Sequence, residues 1–164
     1  MRPLPALAMR DSAIVITTLA LWWVSRQLDA AASDWAAAVA VLVGGLTAVC
    51  GFILHEWGHL LGAWLSRSRV HLAETALAVF LFRFDSDLNN RRQFLWMSNG
   101  GFIVSGLLVA LLIIALTPTR LADQIALGLT LLGVIATVLL EFPPAWRVFR
   151  GGPIPSGAVY VSKP

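Results

Sequence analysis

The segment Trp35-Ala-Ala-Ala-Val-Ala-Val-Leu-Val-Gly-Gly-Leu-Thr-Ala-Val-Cys-Gly-Phe-Ile-Leu54 carries no charge, and it runs directly into His55-Glu56-Trp57-Gly58-His59. About 20 consecutive apolar residues in a helix cross the hydrocarbon core of a bilayer. The apolar character resumes after His59 and continues through Leu65. The ionisable cluster therefore belongs to a membrane-spanning helix over 35–66, and does not follow it as a solvated tail.

The rest of the chain agrees with lipid as the solvent. It has 164 residues, of which 58% are hydrophobic and only 13% charged, about half the charged fraction typical of a soluble domain. Its mean hydropathy is +0.78. Three further apolar runs predict helices over 12–28, 94–117 and 124–142. The last meets Glu141 and then Pro143 and Pro144. Proline lacks the donor that continues a helix, so the chain is expected to leave the helix there and run on as a tail over 143–164. The fold class is an all-α membrane protein of about four transmembrane helices in a single membrane domain over 1–164. The first run has the outline of a secretory signal peptide, with Arg2 and Arg10 ahead of an apolar stretch and Asp29-Ala30-Ala31-Ala32 behind it. Trp22, Trp23 and Arg26 fit a retained helix with an interfacial anchor better.

Lys and Arg accumulate in cytoplasmic loops. With four spans, one side receives Arg2, Arg10, Arg67, Arg69, Arg83, Arg91, Arg92, Arg147, Arg150 and Lys163, and the other only Arg26 and Arg120, which accounts for all 12 basic residues. Both termini are expected on the cytoplasmic side. These residues are scattered between apolar runs, which excludes a nucleic-acid-binding patch. The single cysteine, Cys50, excludes an internal disulfide. It falls five positions before His55 and turns away from the motif face. Trp22, Trp23, Trp35, Trp96 and Trp146 fall near predicted helix ends, as interfacial belts do, and Trp57 and Trp64 are expected in interior packing.

Between the second and third helices, Val70 to Phe84 is mostly apolar but too short to span. Two readings stay open: a strand-like segment whose backbone is satisfied by protein or a wet cavity, or an amphipathic segment lying at the interface.

His55 and His59 are four residues apart, hence one above the other on a helix face. Two imidazoles so placed can hold one zinc ion, which in a catalytic site keeps a position for water. Glu56, beside the ligand face, is the candidate general base that takes the proton of the attacking water and passes it to the leaving nitrogen. Such residues are rare within an apolar span because burying their charge is costly. The alternative for the cluster is a buried polar network joining helices.

A transmembrane HExxH preceded by Phe52-Ile53-Leu54 resembles the site-2 protease family of intramembrane zinc metalloproteases. The resemblance implies cleavage of a transmembrane protein substrate within the bilayer, and a strand-like loop after the motif helix, where Val70–Phe84 stands. It also implies a Gly-Pro pair followed by Asn at the start of the next helix. Asn99-Gly100-Gly101-Phe102-Ile103-Val104-Ser105 stands in that place, with Phe102 for the proline and Ser105 for the asparagine. The family's third zinc ligand is the aspartate of an Asp-Gly pair, and here Ser156-Gly157 occupies that position. No aspartate follows Asp123, and Glu141 is the only acidic side chain after it. Glu141, at the same end of its helix as the motif histidines, is therefore the candidate third ligand. Asp85 and Asp87 are weaker candidates, and an accessory membrane protein is a further source. Asn99 is a candidate for hydrogen-bonding a substrate backbone or for capping a helix. His71 is read as a surface residue. Gly58, Gly62 and Ser66 form a stripe of small residues suited to close helix packing. The rival to an enzyme is a catalytically inactive relative that binds a partner's helix. A metal carrier would need polar residues that the third and fourth helices lack.

Overall fold

The computed structural model describes residues 3–155 and 160–161. The elements, in chain order, are α1 (Pro3–Ala30), α2 (Ala36–Leu65), β1 (Val70–Leu72), β2 (Phe82–Asp85), α3 (Arg91–Ala115), α4 (Leu121–Phe149) and β3 (Tyr160–Val161). All four helices are long and apolar enough to cross a membrane. Thirty residues of α2 rise about 45 Å, so its ends project beyond a core about 30 Å thick. Large apolar side chains such as Ile114, Leu107, Leu132 and Leu140 point outward from the bundle. In water such a surface would associate; in lipid it is the ordinary exterior of a multi-pass membrane protein.

α2 is the central helix and packs against each of the other three. It approaches α3 closely at Gly58 and Gly62, where an added Cβ would run into the carbonyl oxygens of Gly100 and Trp96. Against α1, the Trp22 indole donates to Thr47 Oγ1 at 2.9 Å and the Trp57 indole to the buried Asp11 carboxylate at 2.8 Å. Cys50 Sγ lies 3.3 Å from Thr18 Oγ1, away from the motif face.

The segment after α2 resolves the choice left open by the sequence. β1 and β2 pair antiparallel with Val70 opposite Phe84, His71 opposite Arg83 and Leu72 opposite Phe82. β3 adds to the other edge of β2 in parallel. Leu81, Phe82 and Phe84 are buried with Leu7 of α1, Leu60 of α2, Phe94 and Met97 of α3 and Val148 of α4. All four helices thus meet one small sheet at one end of the bundle.

Several boundaries differ from expectation. α4 does not stop at Pro143 and Pro144 but runs through them to Phe149, so 143–149 is helix and not tail. Proline's fixed φ suits a helix. The loss is two N–H groups, and burial of Ala145 and Val148 in the sheet-end core holds the last turns. α3 starts at Arg91, ahead of the first apolar residue, because Asn90 and Gln93 form a capping box. α1 starts at Pro3 rather than near Ser12. Leu7 enters the core, and Arg10 and Asp11 both find partners. Trp64 is exposed on the bundle surface and not interior.

Candidate metal centre

His55 and His59 are buried on the face of α2 that meets α3 and α4. Their rings lie 4.3 Å apart between centroids, steeply inclined at 79°. The Nε2 atoms face each other at 2.8 Å. Glu141 of α4 completes the group, with Oε2 3.0 Å from His59 Nε2 and Oε1 3.3 Å from His55 Nε2. Among the described residues no other set of three His, Cys, Asp or Glu converges in this way.

The outer nitrogens fix what the inner ones present. His59 Nδ1 is 2.9 Å from the Met97 carbonyl oxygen. A carbonyl only accepts, so Nδ1 carries the hydrogen and the neutral ring turns a lone pair inward from Nε2. His55 Nδ1 is 2.9 Å from Ser105 Oγ, buried on α3. An ionised carboxylate is acceptor-only. Lone pairs of His59 and Glu141 therefore meet at hydrogen-bond distance, an arrangement that needs a cation between them, either a proton or a metal. Two imidazoles and a carboxylate are a donor set that zinc accepts. Bonds of about 2.0–2.2 Å place neighbouring tetrahedral donors roughly 3.3 Å apart. The separations of 2.8, 3.0 and 3.3 Å here need to open by only a few tenths of an ångström, so the residues fit the ion.

The space for the rings comes from α3. An added Cβ on Gly101 would sit 2.5 Å from His59 Nε2, inside any permissible contact. The Gly100-Gly101 pair thus does two jobs: Gly100 lets the helices approach, and Gly101 makes room for the imidazole.

Glu56 is buried beside this group. The Leu81 backbone N–H donates to its Oε2 at 3.4 Å, so the start of β2 orients the carboxylate. Glu56, His59 and Glu141 line one cavity of about 540 Å³, whose remaining wall is largely aromatic and aliphatic, with Phe52, Phe80 and Phe82 among its members. The loop that supplies Phe80 and Leu81 is tied down from α1. Arg10 Nη1 donates to the Ala76 and Ala78 carbonyls at 2.8 and 2.6 Å, and its Nε donates to Asp11 at 2.7 Å.

The structure brings together His55, Glu56, His59 and Glu141 and leaves the other candidates apart. Asp85 is occupied elsewhere: its carboxylate accepts from the Asp87 and Leu88 backbone N–H groups at 3.1 and 2.9 Å and lies 3.0 Å from His71 Nε2. The His71 bond, then the backbone donors, hold its pKa below the usual aspartate value. Asp87 is outside the group as well. Asn99 is exposed on the far face of α3, where it neither reaches the cavity nor caps a helix; that cap is Asn90. Its neighbour Ser98, a third of a turn round, lines the cavity instead. Ser156 and Gly157 lie outside the described residues. Sequence reasoning assigned no role at the site to Ser105, although it flagged the position, nor to Arg10 and Asp11. The Met97 carbonyl and Leu81 N–H are backbone groups, for which side-chain identity carries no signal.

Compared with known family models, curated proteins and solved structures, the chain matches none.

Proposed function

We propose that the chain is an intramembrane zinc metalloprotease that hydrolyses a peptide bond in a membrane-embedded protein substrate. The observation that carries this reading is the convergence of His55, His59 and Glu141, with His59, Glu141 and Glu56 together on the wall of one apolar cavity. His55, His59 and Glu141 would hold the ion. Zinc, when bound, acts as a Lewis acid and lowers the pKa of water towards neutrality. Glu56 takes the proton of the attacking water and delivers it to the leaving amide nitrogen. The Leu81 N–H keeps one of its oxygens engaged, so the other is left for proton transfer. The aromatic wall receives apolar side chains of the substrate and keeps bulk water away from the reacting carbonyl.

The test combines metal content and cleavage in vesicles. Purified protein is expected to hold about one zinc per chain, and H55A and H59A are expected to lose it. Wild type should cut within a library of apolar transmembrane peptides, and Glu56→Gln should keep the metal and cut nothing. A wild-type chain that holds zinc and binds those peptides without cutting any is the helix-binding relative instead. A chain with no metal overturns both the site and the activity.

A further inference from the structure

Along the α2–α3 pair, lined by none of His55, Glu56, His59 and Glu141, two cavities run into one another. A groove of about 780 Å³ follows the helices, walled by Gly58, Leu61, Gly62, Ile103 and Val104 and closed at one end by Arg91 and Arg92. A second pocket of about 470 Å³ shares Leu65, Arg92 and Trp96 with it and adds the polar side chains of Ser66, Arg67, Asn90 and Gln93. The joint space is amphipathic. From Arg92 to Val104 the α3 axis rises about 18 Å, close to the roughly 15 Å that one leaflet contributes to the hydrocarbon core.

No carboxylate lines either part. Among the described residues Arg67, Arg91 and Arg92 have no ion-pair partner. Arg67 also has φ of 56°, in the left-handed region that favours glycine. It closes α2, its N–H donating to the Trp64 carbonyl at 2.9 Å and that of Ser68 to Ala63 at 2.8 Å. Gln93 Nε2 donates to the Ser66 and Arg67 carbonyls at 3.3 and 3.1 Å. A side-chain-bearing residue keeps such a backbone only where its surroundings enforce it, and here they fix the arginine at the rim of the polar pocket.

We propose that this space binds one anionic glycerophospholipid, with its phosphate between Arg67 and Arg92 and an acyl chain along the glycine-walled groove. Charge complementarity selects the headgroup: arginine pairs with phosphate through parallel hydrogen bonds, and basic pockets between helices at the membrane surface recognise anionic lipids. The groove selects a lipid over a free anion, because only a lipid fills both parts. The site is separate from the metal centre and stands whether or not the chain is a protease.

Trp96, shared by both parts, reports occupancy. The protein is reconstituted in phosphatidylcholine vesicles containing dibrominated phosphatidylglycerol or dibrominated phosphatidylcholine, and Trp96 emission is isolated by subtracting the W96F variant. Phosphatidylglycerol is expected to quench Trp96 at a mole fraction about tenfold lower than phosphatidylcholine does. R67Q/R92Q should abolish that preference and R67K/R92K should retain part of it. R69Q/R83Q, which removes two charges from the same end of the bundle, should leave it intact. Excess inorganic phosphate should not relieve the quenching. Equal quenching by the two lipids, or a preference that survives R67Q/R92Q, overturns the site. Equal loss in R69Q/R83Q shows general surface charge only, and relief by phosphate shows a free-anion pocket; either result also overturns it.

Discussion

Ser105 shows how much of the centre rests on residues that bind nothing themselves. Its hydroxyl fixes the ring of His55 from the outside, as the Met97 carbonyl fixes His59. Removing an outer partner of a metal-bound histidine weakens metal affinity about 10–100-fold. Ser105→Ala is accordingly expected to lower zinc affinity by that factor in chelator competition, with helix content unchanged. Gly101→Ala acts more severely, since the new methyl occupies the place of the His59 ring; zinc retention on purification should be lost. The histidines and Glu56 were legible in the sequence because ionisable side chains stand out in an apolar span. Glu141 was legible by elimination, as the only acidic side chain after Asp123. Ser105 was not, because its role depends on the register of α3 against α2, which no local pattern records.

At the scale of elements, the short sheet positions Glu56 and roofs the cavity. Arg10 crosses from α1 to hold two carbonyls of the 73–81 loop, and that loop leads to the Leu81 donor on Glu56. Arg10→Ala is expected to speed hydrogen exchange at Ala76–Ala78 without altering exchange in α2. If exchange there is unchanged, the tether does not hold the loop. The sheet itself carries a pH dependence. Asp85 has a lowered pKa, mainly through His71. The stabilisation is therefore complete above the ordinary aspartate value and is lost as pH falls through the lowered one. The Tm gap between wild type and Asp85→Asn should be steady above the ordinary aspartate pKa of about 3.9 and narrow as pH falls below it. Four helices were readable from hydropathy alone, since lipid leaves few other options. Their ends were not. The Asn90–Gln93 capping box lies ahead of the apolar run, and Pro143 and Pro144 stay helical because tertiary packing of Ala145 and Val148 outweighs two missing donors. Strands of three and four residues are shorter than any periodicity can announce.

For the whole molecule, the sheet, the arginines and the metal centre all lie towards one end. Four antiparallel spans return the chain to its starting side, and among the described residues eight of the ten basic ones collect there. Under the positive-inside rule that side is expected to face the cytoplasm. His55 and His59 lie in the second half of α2 and Glu141 in the second half of α4, both of which end at the sheet. On the proposed protease reading with the termini cytoplasmic, the reacting position is expected nearer the cytoplasmic surface than the bilayer centre, and a substrate helix would need to unwind only in that leaflet to reach it. Two measurements check this together. Fluorescent-protein fusions at either terminus should be bright and alkaline phosphatase fusions at the same positions inactive. A single scissile dipeptide moved stepwise along an apolar transmembrane peptide should be cut only in its cytoplasmic half. Active phosphatase at either end would reverse or break the topology, whereas cutting confined to the opposite leaflet would mean that the cavity beside Glu56 is reached from the other side of the bundle.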